Sequence, residues 1–408
     1  MNLILFDCHK TRENLLPLTF TRPTGDLRVG ILTIREKWEK SFNQKSYSLT
    51  EGYLEGKFSA CPESGPGLYI NGSVLPDEKL NAAIRQLGAL QSLTANGLLI
   101  AFKTEKGHLN YENFEAIAKS FAPVNYPHPF LSIAHTWDIF KLNGEALKAD
   151  FELLTKGRKS GALSSTNMVI GPAENVFIEA GGKVEASVLN ATTGPIYIGV
   201  DAEIMEGCTV RGPLALCEHS ALKMAAKVYG PTTLGPHCKA GGELNNVIFF
   251  GYSNKAHDGF LGNSVIGEWC NLGADTNNSN LKNNYGNADV FSYRDGKAID
   301  TGLVFCGLVM GDHSKCGINT MFNTGTVVGV SANIFGGDFP PKFIPSFSWG
   351  GAQWLRTFTF DKALEVAARM MERRGLKPTD ADIKILQTVF EREAKYRGKS
   401  QEPRAKTG

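Results

Sequence analysis

Long apolar runs are absent from this sequence, and so is an excess of charge of either sign. No apolar run approaches the ~20 residues that a membrane-spanning helix needs, so we expect no membrane partner. The 408 residues include 43 basic and 41 acidic side chains, a balance that predicts no nucleic-acid partner. Composition therefore favours a soluble protein that is long enough for two or three domains.

Paired cysteines are also missing. The eight cysteines form no Cys-x-x-Cys pair and have no regular spacing, which argues against a disulfide framework. The N-terminus does not resemble a signal peptide. We therefore expect reduced, mostly buried thiols in a cytoplasmic protein.

A six-residue repeat of single inward-facing apolar side chains fills the middle of the chain. Its members are Ile198, Ile204, Val210, Leu216, Leu222, Val228, Leu234, and later Ile266, Leu272, Met310, Cys316, Phe322, Val328 and Ile334. Each hexad predicts a short strand with one inward side chain, and three hexads make one coil of a parallel β-helix. We expect about eight or nine coils, left-handed and packed as a homotrimer that covers the apolar flanks.

Strands and helices alternate before the repeat, which predicts a small α/β head of Rossmann type. The expected strands lie at 2–6, 67–71 and 97–103, and the expected helices at 31–42 and 77–88. After the repeat we expect helices at 361–373 and 380–396, the second capped by Thr379, and a disordered last ten residues. The expected domains are the α/β head at 1–135, a connecting helix within 136–164 that is capped by Thr136, the left-handed β-helix at 165–345 and a helical extension at 346–408.

Three arginines follow the first expected strand. Arg12, Arg22 and Arg28 lie just beyond the carboxyl end of the strand at 2–6, where α/β sheets bind ligands, and guanidinium groups suit phosphate. We expect them to bind nucleotide, because their charges would repel one another without an anion. Asp26 is either a ligand for Mg²⁺ or an ion-pair partner of Arg28. The other interpretation of this segment is a solvated basic loop.

One histidine lies outside the six-residue repeat. His257 precedes Ile266 and is the first candidate for a general base, because imidazole titrates near neutral pH. The alternative is a corner histidine that makes structural hydrogen bonds. The other histidines of the repeat region, His219, His237 and His313, are expected in surface turns, and their spacing predicts no certain metal site.

The motif from His257 to Asn280 resembles a known family. A histidine is followed by Leu-Gly, Ile-Gly, Asn-Leu-Gly-Ala, Thr and Asn, as in the acetyltransferase half of the bifunctional N-acetylglucosamine-1-phosphate uridylyltransferase/glucosamine-1-phosphate acetyltransferase family. That half is a trimeric left-handed β-helix. The resemblance implies His257 and Asn280 as catalytic residues, Ala274 and Ile318 as acetyl-CoA contacts, and Lys227, Glu243 and Asn271 as sugar-phosphate contacts.

The resemblance is incomplete in two places. Phe260 replaces a family tyrosine and Asn245 replaces a lysine, so the acyl acceptor is not fixed by the motif. Residues 11–23 look like a degenerate sugar-nucleotidyltransferase signature, as in the short-headed version of the enzyme. The usual glycine-rich loop is replaced by residues 7–10, and residues 71–73 lack the acid that holds Mg²⁺.

Three functions remain open at this point. The first is an enzyme of UDP-N-acetylglucosamine-type biosynthesis that uses a sugar-1-phosphate, a nucleoside triphosphate, acetyl-CoA and Mg²⁺. The second is a nucleotidyltransferase, with UTP or dTTP, whose β-helix only trimerises or regulates. The third is a non-catalytic trimeric scaffold.

Overall fold

The computed structural model describes residues 1–60, 62, 64–105 and 109–397. It contains an α/β head, a parallel β-solenoid of about ten turns and C-terminal helices, which confirms the predicted fold class. No helix in these ranges is long and apolar enough to cross a bilayer. The disorder expected for the last ten residues falls outside the described ranges.

The head is built on one mixed sheet. Its described strands are β1 (Asn2–Phe6), β2 (Ser46–Leu49), β3 (Gly67–Asn71), β4 (Gln91–Ala95), β5 (Leu98–Thr104) and β6 (Ala122–Asn125). Their order is β2-β1-β3-β5-β4-β6. Strands β1, β2 and β3 are parallel, whereas β5 runs antiparallel to both of its neighbours. The predicted strands thus exist, shifted by one residue in the case of β5.

Helices surround this sheet. Those in the described part of the head and its connection are α1 (His9–Asn14), α2 (Ile34–Phe42), α3 (Glu78–Arg85), α4 (Phe114–Lys119) and α5 (Thr136–Thr155), with 3₁₀ turns at Leu18–Phe20 and Thr24–Asp26. The prediction that Thr136 caps α5 is wrong by one residue. His135 is the N-cap, because the Asp138 carboxylate accepts the His135 and Ala134 amides, each at 2.9 Å.

Short strands build the solenoid. Its first half, in the described residues, consists of β7 (Met168–Ile170), β8 (Val176–Ile178), β9 (Lys183–Val184), β10 (Val188–Asn190), β11 (Ile196–Ile198), β12 (Glu203–Ile204), β13 (Thr209–Arg211), β14 (Leu214–Leu216), β15 (Ala221–Leu222), β16 (Lys227–Tyr229), β17 (Thr232–Leu234), β18 (Lys239–Ala240) and β19 (Glu243–Gly251). A 3₁₀ turn lies at Ala173–Asn175.

The second half continues the same stack. Its strands are β20 (Asn254–Lys255), β21 (Phe260–Glu268), β22 (Asn271–Leu272), β23 (Asn277–Asn278), β24 (Asp289–Ser292), β25 (Lys297–Asp300), β26 (Val309–Met310), β27 (Lys315–Cys316), β28 (Met321–Phe322), β29 (Val327–Val328), β30 (Asn333–Ile334), β31 (Phe343–Ile344), β32 (Ser348–Gly350) and β33 (Leu355–Thr357). The predicted repeat residues fill its interior, since none of the fourteen is more than 5% exposed.

The repeat does not stop between Leu234 and Ile266, although the sequence shows no regular spacing there. Inward positions are taken by Ala240, Leu244, Phe249, Lys255 and Leu261, which are all buried. Ala240 and Leu244 are four residues apart, whereas the corresponding Lys255 and Leu261 of the next coil are six apart. One corner of the solenoid is therefore shortened by two residues, at Gly241 and Gly242.

The asparagine-rich gap is only in part the extruded loop that the sequence predicts. Asn277 and Asn278 form β23, which pairs with β28 inside the stack. The chain then leaves the solenoid and makes the antiparallel hairpin β24–β25. The ten-residue stretch between β23 and β24 carries the remaining asparagines.

The C-terminal segment folds back on the solenoid. Strand β33 reverses and pairs antiparallel with β32, and the helices α6 (Phe360–Glu372) and α7 (Asp380–Arg392) follow, with a 3₁₀ turn at Glu393–Tyr396. Thr379 caps α7 as predicted, accepting the Asp382 amide at 3.2 Å. The buried residues of the two helices are Ala363, Ala367, Met371, Ile385, Leu386 and Val389.

The head is packed against the solenoid. Asn143 of α5 is fully buried, and its side chain accepts the Gly30 amide at 2.8 Å and donates to the Pro231 carbonyl at 3.2 Å. The hydroxyl of Thr233 donates to the same amide oxygen. One apolar cluster includes head residues such as Leu5 and solenoid residues such as Phe250. The loop after β1 is therefore enclosed by both parts of the protein.

Candidate functional site

The first arginine of the head is buried among protein acceptors. The Arg12 guanidinium donates to the Asp7 carboxylate at 2.9 Å and to Tyr53 Oη at 3.0 Å, and it pairs with Glu51 at 3.2 Å. Its remaining donors bind the carbonyls of Thr19 and Arg22. Every direction of this guanidinium is thus occupied by the head itself.

The other two arginines join the head to the solenoid. Arg22 is buried and pairs with Asp312 and, at 3.3 Å, with Glu268, and Asp312 also accepts Thr21 Oγ1 at 2.7 Å. Arg28 donates to the Phe250 carbonyl at 3.2 Å. The premise that these cations need an external anion is wrong, because carboxylates and carbonyls of the chain surround them. Nucleotide binding by the three arginines stays a prediction.

The residues expected near Mg²⁺ are also occupied. Asp26 receives two hydrogen bonds from Arg35, at 2.8 and 2.7 Å, so its partner is not Arg28. Asn71 is buried, donates to the Leu99 carbonyl and accepts from Ser73. Among the described residues, no group of three His, Cys, Asp or Glu side chains is placed to hold a metal ion. The side chains that the sequence predicts near Mg²⁺ are therefore engaged by the chain itself.

The solenoid candidates lie along one corner. Asn254 is in register with Asn271, and Asn271 with Lys315, so the residues three positions later occupy equivalent places in successive coils. These residues are His257, Ala274 and Ile318. The hydrogen bonds Asp275 N to Asp258 O and Asn319 N to Ala274 O, at 3.0 and 2.8 Å, tie these corners together. The structure thus brings the predicted base and both predicted acetyl-CoA contacts to one edge.

His257 is free to act on a ligand. It is exposed, and its imidazole makes no hydrogen bond or ion pair with any described residue. Ile318, two coils further along the same column, is 69% exposed. The edge therefore presents a histidine and an apolar side chain to solvent, a combination that suits a thioester and an amine.

The shortened corner lies directly below His257, and a buried lysine fills it. Lys255 is 0% exposed and takes the inward position that an aliphatic residue occupies in other coils. Its Nζ donates to the carbonyls of Gly241, at 3.2 Å, and His257, at 2.9 Å. Burial lowers the pKa of Lys255 to about 8. Lys255 therefore fixes the backbone of His257 from inside the solenoid.

The sugar-phosphate candidates fall on two different sheets. Lys227, Glu243 and Phe260 are register partners in β16, β19 and β21, so the first two lie side by side on one outer face. Asn271 lies in β22 of the neighbouring sheet. Asn280 lies at the opposite end of the motif from His257, and its side-chain amide donates to Asn263 Oδ1 at 2.8 Å. Within a single chain, no described hydrogen bond or ion pair links Asn280 or Asn271 to Glu243.

Two residues of this site escaped the sequence analysis. Tyr229 donates from Oη to the Glu243 carboxylate, and this hydrogen bond together with burial raises the pKa of Tyr229 to about 12. Its position two residues after Lys227, on the same outward face, was a usable signal. Lys255 gave no signal, because a lysine at an inward position breaks the apolar repeat.

Two comparisons with known proteins each match part of this chain. Residues 3–159 match a family of sugar nucleotidyl transferases. The Bifunctional protein GlmU of Methanococcus maripaludis is 26% identical over 202 residues, which cover 50% of this chain and 42% of that protein. The chain thus matches less than half the length of that relative. Together the likenesses support a transferase of the sugar nucleotidyltransferase or acetyltransferase kind.

Proposed function

We propose that the solenoid transfers an acetyl group from acetyl-CoA to the amino group of a sugar phosphate, with His257 as general base. The observation that carries this proposal is the single corner that holds His257, Ala274 and Ile318 in successive coils. The histidine is exposed and without a protein partner, as a base that must accept a proton from substrate has to be.

The reaction is an acyl transfer. The amine nitrogen attacks the thioester carbonyl carbon, the N–C bond forms, and His257 accepts the proton that the nitrogen loses. The C–S bond then breaks, and the coenzyme A thiolate leaves and is protonated. General-base help of this kind contributes about 10²- to 10⁴-fold. Lys255 holds the His257 carbonyl and so fixes the corner while the proton moves.

The chain that performs this reaction is proposed to be a homotrimer. Glu243 and Asn271 lie on different sheets of one solenoid, so a substrate that contacts both needs a cleft formed with a second subunit. In such a cleft Lys227, Glu243 and Asn271 bind the sugar phosphate, Ala274 and Ile318 contact acetyl-CoA, and Asn280 assists near the amine. The exposed Ile318 side chain supports burial of this edge.

The test compares His257→Ala with His219→Ala, which removes another exposed histidine of the solenoid. Each variant is incubated with acetyl-CoA and glucosamine-1-phosphate or other amino-sugar phosphates, and products are identified by mass spectrometry. We expect His257→Ala to lose acetyl transfer at least 100-fold with an unchanged melting temperature, and His219→Ala to stay within twofold. Undiminished transfer by His257→Ala, or none by the wild type, would contradict the proposal.

A second candidate function belongs to the head. The match of residues 3–159 to sugar nucleotidyl transferases favours transfer of a nucleotide from UTP or dTTP to a sugar-1-phosphate. Release of pyrophosphate from either triphosphate, with Mg²⁺ supplied, tests this activity. Its absence beside active acetyl transfer would leave a single-activity enzyme, and the absence of both would leave the scaffold.

A further inference from the structure

A second concave site lies between the solenoid and α6. This basic groove has a volume of about 630 Å³, which is within the range for small-molecule sites. It follows the outer face of the sheet that contains β18, β20, β22 and β27. Its lining consists of Lys239, Tyr252, Asn254, Ala256, Trp269, Asn271, Lys315, Val366, Arg369, Met370, Arg373 and Arg374.

All charged side chains that line the groove are cationic. Lys239 and Lys315 come from the sheet, Arg369, Arg373 and Arg374 come from the end of α6, and no aspartate or glutamate lines the groove. Arg369 pairs with the exposed Glu365, and the other four cations make no ion pair with a described carboxylate. Five cations around one cavity with no anion between them are electrostatically unfavourable.

Helix end effects explain only part of this charge. Basic side chains commonly stabilise a helix C-terminus, and that accounts for the three arginines. It does not account for the two lysines, which project from strands. Burial lowers the pKa of Lys315 to about 8, and its Nζ donates to the His313 carbonyl at 2.7 Å. Burial, with nearby Arg374, Lys223 and Arg373, also lowers the pKa of Lys239. An anion in the groove would offset both penalties.

The sheet residues of the groove form a row whose length and polar character indicate the size of the ligand. Lys239, Asn254, Asn271 and Lys315 are register partners in four successive strands. With about 4.8 Å between neighbouring strands, the two lysines are roughly 14 Å apart, and two amides lie between them. A row of this length matches a diphosphate with an attached sugar better than it matches a single phosphate ion.

An aromatic wall borders this row. Tyr252 and Trp269 line the groove and stack on each other with ring centroids 4.2 Å apart and planes 12° apart. The stack extends through His237 and His219 along the same corner, at 4.7 and 4.8 Å. Its edge offers a rigid surface for a planar ring beside the cations.

We propose that the basic groove binds a phosphate-bearing small molecule of nucleotide size. Its phosphates contact Lys239, Lys315 and the α6 arginines, its sugar contacts the two asparagines, and its ring packs on the Tyr252–Trp269 wall. The basic groove shares Asn271 with the proposed acetyl-transfer site, but it uses neither His257 nor the outer face that carries Glu243.

The test is calorimetric titration of the full chain with UDP, coenzyme A, glucosamine-1-phosphate and pyrophosphate in separate arms. The test variant is Lys239→Gln with Arg373→Gln, and the matched control is Lys183→Gln. Lys183 lies in the same outward row three coils away, where the structure has no groove lysine beside it. We expect the double variant to bind the preferred ligand at least tenfold more weakly and Lys183→Gln to stay within twofold.

The arms distinguish the possible sources of the phosphate. Tighter binding of UDP or coenzyme A than of pyrophosphate supports a ligand with a ring on the aromatic wall. Equal affinity of all four, no binding to the wild type, or equal losses in the double variant and in Lys183→Gln would overturn the proposal. His257→Ala should bind UDP like the wild type, because UDP takes no part in acetyl transfer, so a failure of acetyl transfer can be told apart from a failure of this proposal.

Discussion

Two buried lysines show how differently the head and the solenoid treat charge. Lys37 of α2 is 3% exposed and binds the Asp150 carboxylate of α5, which also accepts the amides of Ile31 and Leu32 at 2.8 and 3.0 Å. Lys255 is 0% exposed and has only the carbonyls of Gly241 and His257. The first lysine is compensated by a carboxylate, although burial still lowers its pKa, and the second has no ion-pair partner among the described residues.

The same contrast holds for the larger clusters. The three head arginines are surrounded by carboxylates and carbonyls of the chain, whereas four of the five cations of the basic groove make no ion pair with a described carboxylate. A buried charge with matched partners is part of the packing and says little about ligands. A buried charge without such partners costs desolvation free energy that the protein does not recover, and such groups concentrate at functional sites.

The largest expected effect comes from breaking the compensated pair. Asp150→Ala leaves the Lys37 ammonium buried without an anion and removes the acceptor of two backbone amides. We expect the free energy of unfolding to fall by about 3–5 kcal/mol, measured by urea denaturation. The exposed Lys45, which pairs with Glu39, provides the control, and Lys45→Gln should leave the urea midpoint unchanged. Equal effects of the two variants would remove the distinction between compensated and exposed pairs.

A smaller loss is expected at the junction. Arg22→Met leaves Asp312 with Thr21 and the Glu268 amide as partners, so the free energy of unfolding should fall by about 3 kcal/mol. Titration of the same variant with UTP tests the predicted nucleotide-binding role separately. Arg294→Gln, at a half-exposed pair with Glu13, is the control. If Arg22→Met kept normal stability but lost UTP binding, Arg22 would be a nucleotide-binding residue rather than a junction residue.

The smallest effect depends on pH and concerns the uncompensated lysine. The pKa of Lys255 is lowered to about 8 in the folded protein, against roughly 10.4 in an unfolded chain. Between these values the unfolded state binds more protons, so folding stability rises with pH. Lys255→Met lacks this contribution, and its stability relative to the wild type should fall by about 2 kcal/mol from pH 8 to pH 10. Urea midpoints at three pH values measure it, with exposed Lys183→Met as control. Parallel curves for wild type and Lys255→Met would contradict the assignment.

The sequence predicts the solenoid well because each coil is formed by residues that are close together in the sequence. A single inward residue every six positions is readable wherever the corners have standard length, as from Ile198 to Leu234. The repeat becomes unreadable where Gly241 and Gly242 shorten a corner and Lys255 replaces an aliphatic residue. The strands still pair in register despite these changes, but this pairing cannot be read from any short stretch of the sequence.

The sites are less predictable because their partners are remote. Asp312 lies 290 residues after Arg22, so the sequence shows a basic loop and conceals its neutralisation. The basic groove likewise combines Lys239 with Arg374 of a later helix. The His257 corner was recognisable because its motif is local, spanning His257 to Asn280. Local chemistry can be inferred from one sequence, whereas compensation between distant segments cannot.

The reversed strand β33 has a consequence for assembly. A parallel stack ends in a strand with unpaired backbone groups, and such an edge is a template on which a second copy can continue the same coils. Here β33 covers β32 in the opposite direction, and α6 follows from it. An incoming parallel coil would meet a short antiparallel strand at that edge. The reversal therefore prevents a second copy from adding a parallel strand to β32, which opposes end-to-end fibre growth at this edge.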